Sequence, residues 1–83
     1  MNGGPGSSSI YLSLGALGPV TVLDSGFTLK EQSWCRNSSL LLIDNPAGVG
    51  FSYAKRKNDM SANDHSNTID MLKLMIQFYS DFP

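Results

Sequence analysis

Leu40-Leu41-Leu42-Ile43-Asp44-Asn45-Pro46-Ala47-Gly48-Val49-Gly50 is the stretch on which the fold class turns. Its first four residues form a continuous apolar run bounded by polar and turn residues. That pattern predicts a strand covered on both faces, as in a parallel sheet. The residues from Asp44 onward carry turn chemistry and predict a loop at the strand's carboxyl end, continued by Phe51-Ser52-Tyr53. In open α/β sheets this edge is where ligands bind. Residues 54–63 are charged and polar and predict an exposed connection. From Asp64 to Asp81 the period becomes helical, with Ile69, Leu72, Met75, Ile76 and Tyr79 recurring at spacings of three and four along one face. Asn63 or Ser66 is suited to cap the start, and Phe82-Pro83 closes the helix.

Working toward the N-terminus, residues 27–39 are mostly polar, with Trp34 as the large anchor. Asp24-Ser25-Gly26 is turn chemistry. Val20-Thr21-Val22-Leu23 is β-branched and apolar and predicts a short strand. Gly18-Pro19 stops whatever precedes it, and residues 8–16 mix small and apolar side chains in a way that predicts a short helix. The chain opens on Met1-Asn2-Gly3-Gly4-Pro5-Gly6, followed by Ser7-Ser8-Ser9. Glycines let a ligand approach the main chain closely, and Pro5 donates no N–H. The donors of this turn are therefore the amides of Gly3, Gly4 and Gly6, a nest suited to an anion or to an oxygen that becomes negative during reaction. The order of elements predicts an α/β fold: strands of a mainly parallel sheet with flanking helices, an incomplete single domain over residues 1–83.

Composition narrows the function. The chain has 83 residues and a formal net charge of −1, which gives no electrostatic case for nucleic acid or an anionic membrane surface. Lys55-Arg56-Lys57 reads as a solvated loop. No run of about 18 apolar residues predicts a membrane span, and no leader of charged then apolar residues is visible. One cysteine, Cys35, and one histidine, His65, support neither an internal disulfide nor a metal site. No cofactor is implied. Asn37-Ser38-Ser39 is an N-glycosylation sequon.

Taken together, Asn2-Gly3-Gly4-Pro5-Gly6 with Ser8-Ser9, Leu17-Gly18-Pro19, Ser33-Trp34 and Ile43-Asp44-Asn45-Pro46-Ala47-Gly48-Val49-Gly50-Phe51-Ser52-Tyr53 strongly resemble the serine carboxypeptidases, peptidases of the α/β-hydrolase fold. The resemblance extends over essentially the whole chain. It implies that the Gly4 amide helps form an oxyanion hole, a type of donor whose removal typically costs roughly 3–4 kcal/mol of transition-state stabilisation. It also implies that Asn2 and Gly3 help bind the substrate's C-terminal carboxylate, the partner being a peptide or protein C-terminus, and that the compartment is the secretory pathway (vacuole, lysosome or cell exterior). Asp44 is not read as the triad acid, because in this fold the acid follows the nucleophile in chain order; it is expected to hydrogen-bond loop amides. His65 is expected at a helix start or on the surface.

The sequence also departs from the pattern. No Gly-x-Ser-x-Gly nucleophile elbow is present, and the triad residues are absent, so the chain reads as an inactive piece carrying substrate-binding and oxyanion elements. Ser7 stands where the family usually has cysteine, Ala16 where it usually has a glutamate of the carboxylate-recognition network, and Cys35 where it usually has asparagine. The loss at position 16 keeps a serine carboxypeptidase-like acyltransferase open as an alternative to a peptidase, alongside a truncated product without catalysis.

Overall fold

A computed structural model describes residues 1–83. The longest element is helix α1, Asp64–Asp81. Its start is fixed by a capping box: the Asn63 side chain accepts from the Ser66 amide at 2.9 Å, and the Ser66 hydroxyl accepts from the Asn63 amide at 3.3 Å. These two bonds satisfy donors that an uncapped helix start leaves open. Asp64 adds a negative charge to the first turn, where the helix dipole favours it. At the other end the Phe82 amide closes onto the Phe78 carbonyl at 2.8 Å, and the two rings stack at a centroid distance of 5.1 Å.

The sheet is an antiparallel hairpin. Strand β1, Val20–Leu23, pairs with strand β2, Gly26–Leu29, in the register Val20↔Leu29, Thr21↔Thr28, Val22↔Phe27, Leu23↔Gly26. Asp24-Ser25 is the turn. The expected strand at residues 20–23 is present, but its partner lies in a region read as polar. Phe27 and Leu29 alternate with Thr28, a two-residue period too short to stand out against Lys30 to Ser39. The Lys30 amide continues the hairpin by donating to the Pro19 carbonyl at 2.7 Å, and its ammonium donates to the Gly15 carbonyl at 2.7 Å.

Two expectations are corrected. Leu40–Ile43 is not a strand of a parallel sheet: these residues pair with no neighbour, and the only sheet is the β1–β2 hairpin. A strand exists by its ladder, and no other segment of the chain runs beside this one to supply it. The helix expected over residues 8–16 begins later, at Ile10, and runs to Ala16, with Leu12–Ala16 in π-type winding and the Leu17 amide reaching the Leu12 carbonyl at 2.8 Å. It starts late because Ser8 and Ser9 are held by residues 43 and 44.

No hydrophobic residue is buried; Ser9, Gly18 and Asn45 are the buried positions. The chain exposes 6647 Å², against about 4,900 Å² for a folded monomer of this mass. Its radius of gyration is 14.9 Å, where about 12 Å is typical of this length. Polar ties therefore carry what order the fold has. On α1, Met71, Met75 and Phe78 are half-buried, Met71 and Phe78 beside the Asp44–Tyr53 loop, while Ile69, Leu72, Ile76 and Tyr79 of the expected stripe stay exposed.

With so little tertiary burial, the cap dominates the helix's stability. Asn63→Ala is expected to cost about 1 kcal/mol and to lower helicity by circular dichroism, whereas Asn63→Asp, which keeps an accepting oxygen, is expected to leave it unchanged.

Candidate functional site

The site is built around Asp44. Its Oδ1 accepts from the Ser9 amide at 2.6 Å and the Ser8 hydroxyl at 2.8 Å, and its Oδ2 accepts from the Phe51 amide at 2.9 Å. Its carbonyl accepts from the Ser52 hydroxyl at 2.7 Å. One half-buried side chain thus ties the end of the glycine turn to both ends of the 44–52 loop, and it does so by binding loop amides as expected. The Phe51 amide, then the Ser8 hydroxyl, then the Ser9 amide hold the Asp44 carboxyl below the ordinary carboxylate range, because each donates to the ionised form; a smaller desolvation effect opposes them.

Ser9 completes the tie. Its hydroxyl donates to the Ile43 carbonyl and accepts from the Asn2 amide at 2.9 Å. Asn2 then braces the turn from within: its Nδ2 donates to the Ser7 hydroxyl at 3.1 Å and the Ser8 carbonyl at 3.2 Å, and its Oδ1 accepts from the Gly3 amide at 3.0 Å. The amides of Gly4 and Gly6 donate to nothing in the chain. Gly4 has φ of +137°, a conformation that L side chains rarely adopt, and a Cβ there would stand 3.2 Å from the Gly6 nitrogen. The Gly4–Pro5 and Asn45–Pro46 peptide bonds are cis. Of the three candidate donors, the structure leaves Gly4 and Gly6 open and engages Gly3.

The glycine turn adjoins the second motif and the helix start. Pro5, Pro46, Asn63, Asp64 and Asn67 line a hollow of about 180 Å³ between them. Behind the loop a larger hollow of about 410 Å³, lined by Asn45, Ser52, Asn67, Asp70 and Met71 among others, separates it from α1. The buried Asn45 Nδ2 and Asn67 Oδ1 have no partner. His65 is exposed on the first turn of α1. Asn37 is exposed beyond the hairpin, Cys35 is a free half-buried thiol, and no cluster of three metal-ligating side chains exists. No helix is long and apolar enough to cross a membrane. Sequence reasoning missed the roles of Ser8 and Ser9; the available signal was a donor-rich serine run in a chain whose apolar run ends on a carboxylate.

Asp44 has a folded-state pKa below its unfolded value, so the stability it contributes is complete above the ordinary carboxylate range and is lost as pH falls through the depressed folded value. Unfolding followed across the acid limb, below about pH 4, is expected to show this loss, and Asp44→Asn is expected to flatten it. Gly50 has φ of +54°, and a Cβ there would strike the Asp44 carboxylate and the Ser8 hydroxyl. Gly50→Ala and Asp44→Asn are therefore each expected to shift the Ser9 and Phe51 amide resonances together.

Comparison with known proteins agrees with the two motifs. The serine carboxypeptidase family profile matches residues 1–83. Serine carboxypeptidase-like 41 and 42 of Arabidopsis thaliana are 40% and 38% identical to the chain, each match covering all of it and 18% of the relative. P-(S)-hydroxymandelonitrile lyase of Sorghum bicolor is 36% identical, again across the whole chain and 17% of the relative. The chain thus spans under a fifth of the length of these relatives. No solved structure gives a significant match. With both motifs in sequence and the profile matched from end to end, the chain belongs to the serine carboxypeptidase family.

Proposed function

We propose that this chain furnishes the oxyanion-stabilising and carboxylate-binding part of a serine-type carboxypeptidase, which releases C-terminal residues from peptides in the secretory pathway. The observation that carries the reading is the open N–H of Gly4, on a turn fixed through Asn2, Ser9 and Asp44. A donor fixed beforehand stabilises charge as it develops without reorganising at the moment of reaction. The substrate's terminal carboxylate would take the Asn2 Nδ2 donor now spent on the Ser7 hydroxyl at 3.1 Å, together with the Gly3 amide. A bond to a charged acceptor is stronger than the neutral one it displaces. The chain holds no Gly-x-Ser-x-Gly elbow, so its part in an acyl-enzyme mechanism is electrostatic, with nucleophile and general base supplied by other residues.

A second reading keeps the turn and changes the reaction. A relative named as a hydroxymandelonitrile lyase is about as similar as those named carboxypeptidase-like, and Ala16 stands where the carboxylate-recognition glutamate is usual. Acyl transfer, or another reaction passing through an oxyanion, would use Gly4 in the same way.

Titration of the isotope-labelled chain with a short peptide acid and with its C-terminal amide separates these readings. The Gly3 amide and Asn2 side-chain resonances are expected to move with the acid and stay in place with the amide; equal responses would remove the exopeptidase reading. The isolated chain is expected to show no peptide turnover. Grafted into a complete serine carboxypeptidase-like enzyme, Gly4→Ala keeps the N–H but resists the φ of +137° that aims it, and turning that donor away is expected to lower kcat by up to about 10²–10³-fold, the effect of losing one oxyanion donor, with little change in KM.

A further inference from the structure

Asn2 is followed by glycine in the chain and is hydrogen-bonded to it. The Asn2 Oδ1 accepts from the Gly3 amide at 3.0 Å, which folds the carboxamide back over the peptide bond that follows it. The Ser7 hydroxyl and the Ser8 carbonyl hold the Asn2 Nδ2 in the same pose, at 3.1 and 3.2 Å. The Asn2 Cγ, one bond beyond Oδ1, is thereby kept within reach of the Gly3 nitrogen, in the arrangement from which the two close a cyclic imide. Asparagine is among the chemically labile residues, and two groups held together react far faster than separated ones. Nothing shields this pair. Gly3 is exposed, and no atom stands within 4 Å of where a Cβ would lie. Glycine neither hinders attack by its own nitrogen nor restricts the rotation that brings it into line. No other asparagine shares these features. Pro46 after Asn45 has no N–H to lose, and Asn37, Asn58, Asn63 and Asn67 each precede a residue with a side chain.

We propose that Asn2-Gly3 is a self-modifying site: in the folded chain the Asn2 carboxamide converts to a carboxylate, and the turn changes from attracting a substrate's carboxylate to repelling it. The Gly3 nitrogen gives its proton to solvent hydroxide and bonds to Asn2 Cγ. The Cγ–Nδ2 bond breaks, and Nδ2 takes a proton from water and leaves as ammonia. Water then opens the imide. Cleavage of the bond from the Gly3 nitrogen to Cγ gives aspartate; cleavage of its bond to the Asn2 main-chain carbonyl carbon gives isoaspartate. One water is consumed, one ammonia is released, and nothing is oxidised or reduced. Either product lacks the Nδ2 donors and is ionised at neutral pH. It meets the Ser8 carbonyl oxygen, and any arriving carboxylate, with like charge. Isoaspartate also inserts a methylene into the main chain just ahead of Gly4. The change of affinity rests on the carboxylate-binding role proposed above; the conversion itself does not.

Incubating the full chain in mildly alkaline buffer, beside a synthetic peptide of residues 1–9, tests the site. Ammonia release, peptide mapping by mass and enzymatic methylation of isoaspartate are expected to place the conversion at Asn2, at a rate no lower than in the peptide. Gly3→Ala, whose Cβ meets nothing in the turn, is expected to slow it several-fold. A chain that keeps Asn2 intact while the peptide converts would overturn the proposal. A short peptide acid is then titrated into the fresh chain, the aged chain and Asn2→Asp, with the Gly3 and Gly4 amide resonances followed. The response of the fresh chain is expected to be lost in the other two; a full response after conversion would overturn the change of affinity. A fresh chain that ignores the acid while Asn2 still converts would remove the carboxylate-binding role, and the change of affinity with it, and would leave the modification site standing.

Discussion

The Asp44 carboxylate is the constraint on which the arrangement of this chain depends. Its contacts join positions 35, 36 and 7 residues apart in sequence, and through Ser9 and the Ile43 carbonyl the tie doubles. Without it the glycine turn and the Pro46–Gly50 loop keep only the Ser9–Ile43 bond between them. Bringing them together is costly in loop entropy, and no apolar cluster offsets that cost, since no hydrophobic side chain is buried. A carboxylate accepting several short charge-assisted hydrogen bonds is the element available to do so.

This explains an unusual allocation of burial. Ser9, at 1% exposure, is the most enclosed side chain in the molecule. A hydroxyl is normally a poor choice for a buried position, because its desolvation is unfavourable unless both its donor and acceptor capacity are used. Here both are used, toward Ile43 and from Asn2. Ser9→Ala would leave the Asn2 amide and the Ile43 carbonyl without their partner, and Ser9→Val would add volume beside Asp44. Apolar surface meanwhile stays outside: Phe27 and Leu29 on the hairpin, and Leu72, Ile76 and Tyr79 on α1.

Local chemistry was legible in the sequence and long-range pairing was not. Helix α1 ran between the predicted residues because its period, its cap and its terminal Phe-Pro all agree. The β1 strand was equally clear from its β-branched run. The hydrophobicity of the Leu40–Ile43 run predicts a strand, yet a ladder needs a neighbour, and that information lies outside the four residues. β2 was hidden for the converse reason: Phe27 and Leu29 are strand residues by virtue of their pairing with Val22 and Val20. At the site, the glycine turn and the binding of amides by Asp44 could be read from residue types, whereas the consumption of the Asn2 carboxamide inside its own turn could not. That depends on Ser7 and Ser8 folding back across it.

The Ser8–Asp44 hydrogen bond, at 2.8 Å, invites comparison with a nucleophile and its base, and the electrostatics argue against it. A serine hydroxyl needs a base whose pKa lies near the working pH. The Asp44 carboxyl is displaced the other way, below its usual range, by the same amides that fix it in place. An oxygen so well solvated by donors accepts a proton poorly, and the imidazole that would mediate the transfer is not at hand, since His65 is exposed on α1 and bonds to neither residue. The features that make Asp44 a good clamp make it a poor base. What the clamp leaves open is the pair of amides of Gly4 and Gly6, since Asn2, Ser8, Ser9 and Asp44 bond to one another instead.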